Sequence, residues 1–213
     1  MDTIIRFFQE GGAFMYPITL ILALGLAIGI ERYLFLTTAK AKNNRTWNRL
    51  IPLINQGDLP AAVKVVESTK SHIGHVVAYG LNQRRSSRHR DDIETAMEEG
   101  LMEILPKLEK RTHYVATFAN IATLMGLLGT IIGLIQAFTA VANADPAEKA
   151  NLLSASISVA MNTTAYGLIA AIPLLLLFAL LQTKTTEVVD SLEMASVKIV
   201  NLISGENNKS GNA

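Results

Sequence analysis

Ser158, Asn162, Thr163, Thr164 and Tyr166 fall within nine residues of one another in a stretch, SVAMNTTAYGLIAAIP (158–173), that is otherwise apolar. None of the five is charged, so together they offer hydroxyl and amide hydrogen bonds but no strong acid, base or nucleophile. Such groups can hold water, ligate a small cation or relay a proton. Left unpaired in lipid, each would cost about a few kcal/mol, so they should face protein or a wet cavity. Ser154, Ser158, Asn162 and Tyr166 recur every four residues, which sets them along one helix face. A parallel line holds the small residues Ala160, Thr164, Gly167 and Ala171, and Thr163 lies between the two.

An earlier stretch, GLLGTIIGLIQAF (126–138), carries a matching pattern. Gly126, Gly129, Thr130, Gly133 and Ala137 are spaced by three and four, a stripe of small residues that lets membrane helices approach closely. The Thr130 hydroxyl can bond the carbonyl one turn earlier. With an outer loop centred near residue 148, Thr130 lies eighteen residues before it and Thr163 and Thr164 fifteen and sixteen after it. At ~1.5 Å rise per residue the three hydroxyls come within about 5 Å of one depth, near the middle of a bilayer. A level ring of hydroxyls can pass a small ion or proton. Neither stretch holds an Asp, Glu, Lys, Arg or His, so an ion-conducting role needs a charge supplied by another chain.

The elements that must position these groups are helices in a membrane. Half of the 213 residues are hydrophobic and there is no cysteine, which excludes disulfides and thiolate metal sites. The expected architecture is all-α: a lead-in (1–15), a first span (16–36), a helical loop domain (37–111), a second span (112–142), an outer loop (143–156), a third span (157–181), a further helix (182–204) and a disordered tail (205–213). Each span meets the roughly 20 apolar residues a bilayer requires. A cleaved leader is not expected, because Asp2 and Glu10 flank a single Arg6 and no small-residue cleavage site follows Leu36. Thirteen Lys and Arg lie between Thr37 and Arg111, against Arg6 before the first span and Lys149 between the second and third. The positive-inside rule therefore puts the long loop and C-terminus in the cytoplasm and the N-terminus outside.

Phe7 to Gly12 reads as an amphipathic lead-in, and Pro17 suits the first turn of a helix. Glu31 and Arg32, near the inner end of the first span, are expected to reach the headgroups. NQGDLPAAVKVVESTKSHIGHVVAYGL reads as a helical stretch opening at a Gly57–Asp58 turn with Pro60 near its first position. RRSSRHR (84–90) reads as a basic turn and solvated face rather than a nucleic-acid site, followed by Asp91–Asp92 capping a helix that runs on into the second span with a bend at Pro106. Val188, Leu192, Ala195, Ile199 and Leu202 form a packing stripe in the tail. His72 and His75 lack a third ligand, and with His89 and His113 read as ordinary polar positions, so no metal site is expected. No Ser–His–Asp set or phosphate-binding glycine loop is present, so neither an enzyme nor a cofactor is expected.

GLLGTIIGLIQAF and the TTAYGLIAAIP that follows a short loop resemble the paired motifs of the MotA/TolQ/ExbB family. The three-span order and the GDLPAAVKVVE stretch resemble its ExbB/TolQ branch, and the resemblance covers nearly the whole chain. It implies a stator-like subunit of the bacterial inner membrane, with periplasmic N-terminus, that turns the proton (or sodium) motive force into mechanical work for transport or another envelope process. Five copies would surround a pair of single-span ExbD/TolR-like partners supplying the intramembrane Asp absent here, with a TonB-like protein as a further partner. The motifs match Thr130 to the family's first threonine and Thr163 and Thr164 to its second pair, which the resemblance assigns to the ion path. Asn162 and Tyr166 would share that surface, while Gly126, Gly129, Gly133, Gly167 and Ala171 pack helices. Two positions depart from the pattern: Val159 stands where ExbB and TolQ members usually carry Glu, and Thr123 where many carry Pro. AYGLI leans toward the flagellar branch, whose members usually have four spans. The alternative reading is a non-conducting membrane scaffold, for which Val159 is the best support.

Overall fold

The structure is a computed structural model that describes residues 11–87, 89–142 and 144–205, with only the backbone of Gly205. Residues 1–10 of the lead-in and 206–213 of the tail lie outside the described residues. Among those described there is no strand, and the order is α1 (Met15–Asn55), α2 (Leu59–Ser68), α3 (His72–Ser86), α4 (Arg90–Glu109), α5 (Thr112–Ala142) and α6 (Lys149–Gly205). Three helical stretches, in α1, α5 and α6, are long and apolar enough to cross a membrane. The chain divides into two compact units, residues 1–32 with 111–180 and residues 33–110 with 181–213.

In the first unit, α1 begins at Met15 with Pro17 in its first turn, where a missing N–H breaks no helical bond. Its buried positions there, Met15, Ile18, Gly25, Gly29 and Arg32, step by three, seven, four and three along one face. Arg32 is thus only 3% exposed, whereas the sequence places it among the headgroups; it lies on the inward stripe of its helix. Glu31, one position round, is exposed and sits 3.8 Å from Arg111. Side chains at Gly25 and Gly29 would run into Leu174 and Leu177 of α6, so these two glycines set that packing. α6 starts at Lys149 after turns through Asp145–Glu148, so residues 149–156, assigned by the sequence to the outer loop, are helical.

The second unit is built on helix caps. Gly57, at φ 73°, turns the chain out of α1, and Asp58 Oδ1 accepts from Ala61 N at 3.0 Å to start α2. The apolar period suggests one helix from there to Leu81, but Thr69 to Ser71 interrupt it. Ser71 is extended (φ −87°, ψ 151°) and its Oγ accepts from Gly74 N at 3.1 Å, so the local preference of Ser for an N-cap prevails over continued helix. α3 and α4 then pack closely at Gly80 against Met97 and at Gly100 against Val76 and Tyr79. The N-cap of α4 is His89, without a side-chain cap; Asp91 and Asp92 lie in the first turn, where they favour the helix dipole rather than cap the helix.

Pro106 stays inside α4, and the break comes later. Lys110 N–H bonds the Pro106 carbonyl at 3.0 Å, and Arg111 turns left-handed at φ 66°, the position helices usually give to glycine. α4 and α5 are therefore separate helices rather than the continuous one the sequence suggests. On α6, Val188, Leu192, Ala195 and Ile199 are buried, but Leu202 is half-buried and Val200 and Ile203 carry the stripe on. Glu103 gathers His75 (2.9 Å), Tyr79 (3.0 Å) and Lys107 (3.0 Å). These donors hold its carboxyl down to about 2. The Glu103 hydrogen bond in turn raises the Tyr79 phenol, and burial lowers His72, with Lys107, His75 and Lys42 adding to the effect.

Candidate functional site in the helix hairpin

α5 and α6 meet through glycine. A Cβ at Gly167 would fall 2.7 Å from the Ala122 carbonyl oxygen and 2.9 Å from Gly126 Cα, so at this level the two backbones touch. A Cβ at Gly126 would meet Gly167 Cα, the Thr163 carbonyl and Thr164 Cα at 3.2 to 3.3 Å. Gly129 is filled by the Thr163 methyl, and a Cβ at Gly133 would lie 3.0 Å from that of Ala160. Ala137, Ala160 and Ala171 are buried. Small residues on both helices thus bring hydroxyls and main-chain carbonyls together across the seam.

The result is a compact oxygen cluster. The hydroxyls of Thr130 and Thr164 contact each other directly. Thr164 Oγ1 reaches the Gly126 carbonyl at 3.0 Å, and Thr130 Oγ1 reaches the carbonyls of Gly126 at 3.2 Å and Ala160 at 3.4 Å. Two hydroxyls carry only two hydrogens among these four oxygens. If one hydroxyl donates to the other, the second donates to a carbonyl, and the remaining lone pairs have no hydrogen within the group. The two carbonyls also accept from the helix N–H four residues on, so the spare lone pairs are chiefly those of the hydroxyls, which can ligate a small cation or accept from water. Both threonines are half-buried.

Thr163 does not join this pair. It is 2% exposed, and its hydroxyl lies 2.7 Å from the Gly11 carbonyl and 3.0 Å from that of Val159, either of which its hydrogen can serve. Gly12, at φ 74°, makes the turn there, and a side chain on it would approach Val159 at 3.4 Å. Tyr166 bonds Thr19 of α1 at 2.9 Å, while Thr19 Oγ1 also reaches the Met15 carbonyl at 2.8 Å. With the single Thr19 hydrogen on Met15, Tyr166 is the donor in that pair. Asn162 is half-buried beside these groups in sequence, and Ser154 and Ser158 further along the same line are exposed. The three threonines therefore split between two settings: Thr130 with Thr164 in the α5–α6 seam, and Thr163 against the turn at Gly11.

Sequence reasoning missed Thr19, the Gly11 carbonyl and the Gly25–Gly29 pair. The last was legible as small residues four apart in the first span; Thr19 was legible only as an isolated hydroxyl in an apolar run. No group of three His, Asp or Glu poised to hold a metal occurs among the described residues.

Against known proteins, the MotA/TolQ/ExbB proton channel family matches residues 68–194. An ExbB homolog of Methanothermobacter thermautotrophicus is 25% identical over 194 residues, covering 90% of this chain and 67% of its own. The ExbB-like 3 protein of Synechocystis sp. is 26% identical over 192 residues, 84% of this chain and 90% of its own. The Tol-Pal system protein TolQ of Haemophilus influenzae is 36% identical over a shorter segment of 78 residues, 37% of this chain and 34% of its own.

Proposed function

Since the chain belongs to the MotA/TolQ/ExbB proton channel family and is an integral membrane protein with three apolar helices, we propose that it is a channel component rather than an enzyme, the ion-conducting subunit of a motor complex. In this reading it sits in the bacterial inner membrane, N-terminus outside, and copies of it (five by family resemblance) surround a pair of single-span ExbD/TolR-like chains. The motive force of protons, or of sodium, is turned into motion that energises transport or another envelope process, with a TonB-like chain as a further partner.

The observation that carries the reading is the Thr130–Thr164 hydroxyl pair over the Gly126 and Ala160 carbonyls. It lies in a helix hairpin with no acidic or basic residue in its apolar part. A lone oxygen cluster polarises water or strips part of a cation's hydration shell, but it cannot hold net charge through a conduction cycle. An Asp on the partner's helix supplies the missing acid. Asn162, Thr163 and Tyr166 position the surface that this helix meets: Tyr166 through Thr19, Thr163 through Gly11. The alternative is a non-conducting scaffold, favoured by Val159, which sits against Gly12 and brings no acid.

Co-expression with a single-span, Asp-bearing partner and reconstitution into liposomes separates the two. Proton or sodium flux that requires the partner supports the motor subunit. An intact, correctly oriented complex without flux leaves the scaffold.

A further inference from the structure

In the second unit, α1 and the start of α3 enclose a cleft of about 340 Å³ lined by Leu34, Phe35, Lys42, Asn43, Lys70 and His72, among others. Its lining holds two lysines and no carboxylate. The N-terminus of the 15-residue helix α3 opens at the same place. Of its first N–H groups, that of Ile73 goes to Asn43 Oδ1 at 3.2 Å and that of Gly74 to Ser71 Oγ at 3.1 Å, which leaves the His72 N–H for a ligand. Asn43 supplies an independent sign. It is 3% exposed, borders the cleft, and its buried Nδ2 has no hydrogen-bond partner among the described residues. An unused buried donor calls for an acceptor. Asn43 also borders a second cleft, but the one cation among the described residues lining it, Lys198, stands over the Trp47 ring at 5.8 Å.

We propose that this cleft binds the phosphate of an anionic phospholipid headgroup. Lys42 and Lys70 supply charge, and Asn43 Nδ2 and the His72 N–H donate to phosphate oxygens, an arrangement that suits an anion at a helix N-terminus. The lipid source follows from the apolar part of the lining. Leu34, 60% exposed, and Phe35 belong to the last turn of the first apolar span, so a ligand whose phosphate reaches Lys42 lays its glycerol and first methylenes along them. A soluble phosphate has no use for that wall.

The test uses the full chain in detergent, with dioctanoyl phosphatidylglycerol, dioctanoyl phosphatidylcholine and inorganic phosphate, binding being followed by native mass spectrometry. The expected result is saturable binding of phosphatidylglycerol in clear preference to the other two. Lys42→Gln with Lys70→Gln should weaken it about 25-fold, at about fivefold for each interfacial lysine. Asn43→Asp keeps the oxygen that accepts from Ile73 and puts a negative, acceptor-only oxygen where the unused donor stood, so it should weaken binding about tenfold or more, with the unfolding midpoint read alongside to show that the fold is kept. Phosphatidylglycerol binding that is no tighter than phosphatidylcholine, or unchanged in both variants, overturns the site. Inorganic phosphate binding as tightly as phosphatidylglycerol overturns the lipid assignment.

Discussion

Gly167→Ala is the sharpest perturbation of the hairpin. The new methyl would stand 2.7 Å from the Ala122 carbonyl and 2.9 Å from Gly126 Cα, and both are backbone atoms with no rotamer to change. Ordinary contact begins near 3.4 Å, so α5 and α6 must part by about 0.7 Å at this level. Carried to the neighbouring turn, that movement stretches the 3.0 Å bond between Thr164 and the Gly126 carbonyl to about 3.7 Å, past hydrogen-bonding reach. Overpacking of this kind costs about 1–3 kcal/mol in stability, and the lost bond adds about 1 kcal/mol. Gly25→Ala is the milder comparison, because its methyl meets the Leu174 side-chain tip at 2.8 Å, and a buried side chain, unlike a backbone, has rotamers to change. Thermal unfolding in detergent, and flux in liposomes with the proposed single-span partner, should show Gly167→Ala impaired in both and Gly25→Ala impaired less. Equal losses from the two substitutions, or none from Gly167→Ala, would refute the claim that backbone contact sets the geometry of the threonine pair.

Three further outcomes are expected. Glu103 has a folded pKa of about 2 against an ordinary 4.5, so its interactions support the fold fully above about pH 4.5 and are lost as pH falls toward 2. Unfolding of wild type and Glu103→Gln followed against pH should therefore differ near neutrality and converge below pH 4.5; a constant gap would contradict the linkage. Arg111→Gly should raise the unfolding midpoint, by about 1 kcal/mol of relieved left-handed strain, while Arg111→Val lowers it; its exposed contact with Glu31 is worth little. Tyr166→Phe and Thr19→Val should each cost about 1 kcal/mol and be non-additive in a double-mutant cycle on stability, because they share one hydrogen bond.

The small-residue stripes were legible in the sequence, because membrane helices pack through glycine at helical spacing and Gly126, Gly133, Gly167 and Ala171 have few other uses. So was the closeness of Thr130 and Thr164, from simple counting along a hairpin. The separate setting of Thr163 was not. Adjacent residues on a helix point about 100° apart, and a count of depth does not say which carbonyl a hydroxyl meets. Helix ends resisted for another reason. The breaks at Ser71 and Arg111 come from caps and a left-handed residue, and neither disturbs the apolar period that runs through them. Arg32 was misplaced because its charge drew attention away from its register with Ile18, Gly25 and Gly29. Thr19 and Gly11 act through contacts far along the chain, which spacing within one span cannot reveal.

The central claim is that ions pass at the Thr130–Thr164 pair. Its most direct test is flux through liposomes holding the complex of this chain with the proposed Asp-bearing partner, comparing wild type with Thr130→Val plus Thr164→Val. Valine keeps the shape of threonine and removes both hydroxyls, and copurification with the partner checks that assembly survives. The account predicts that the double variant assembles and loses flux. An assembled double variant that conducts as wild type does would contradict it.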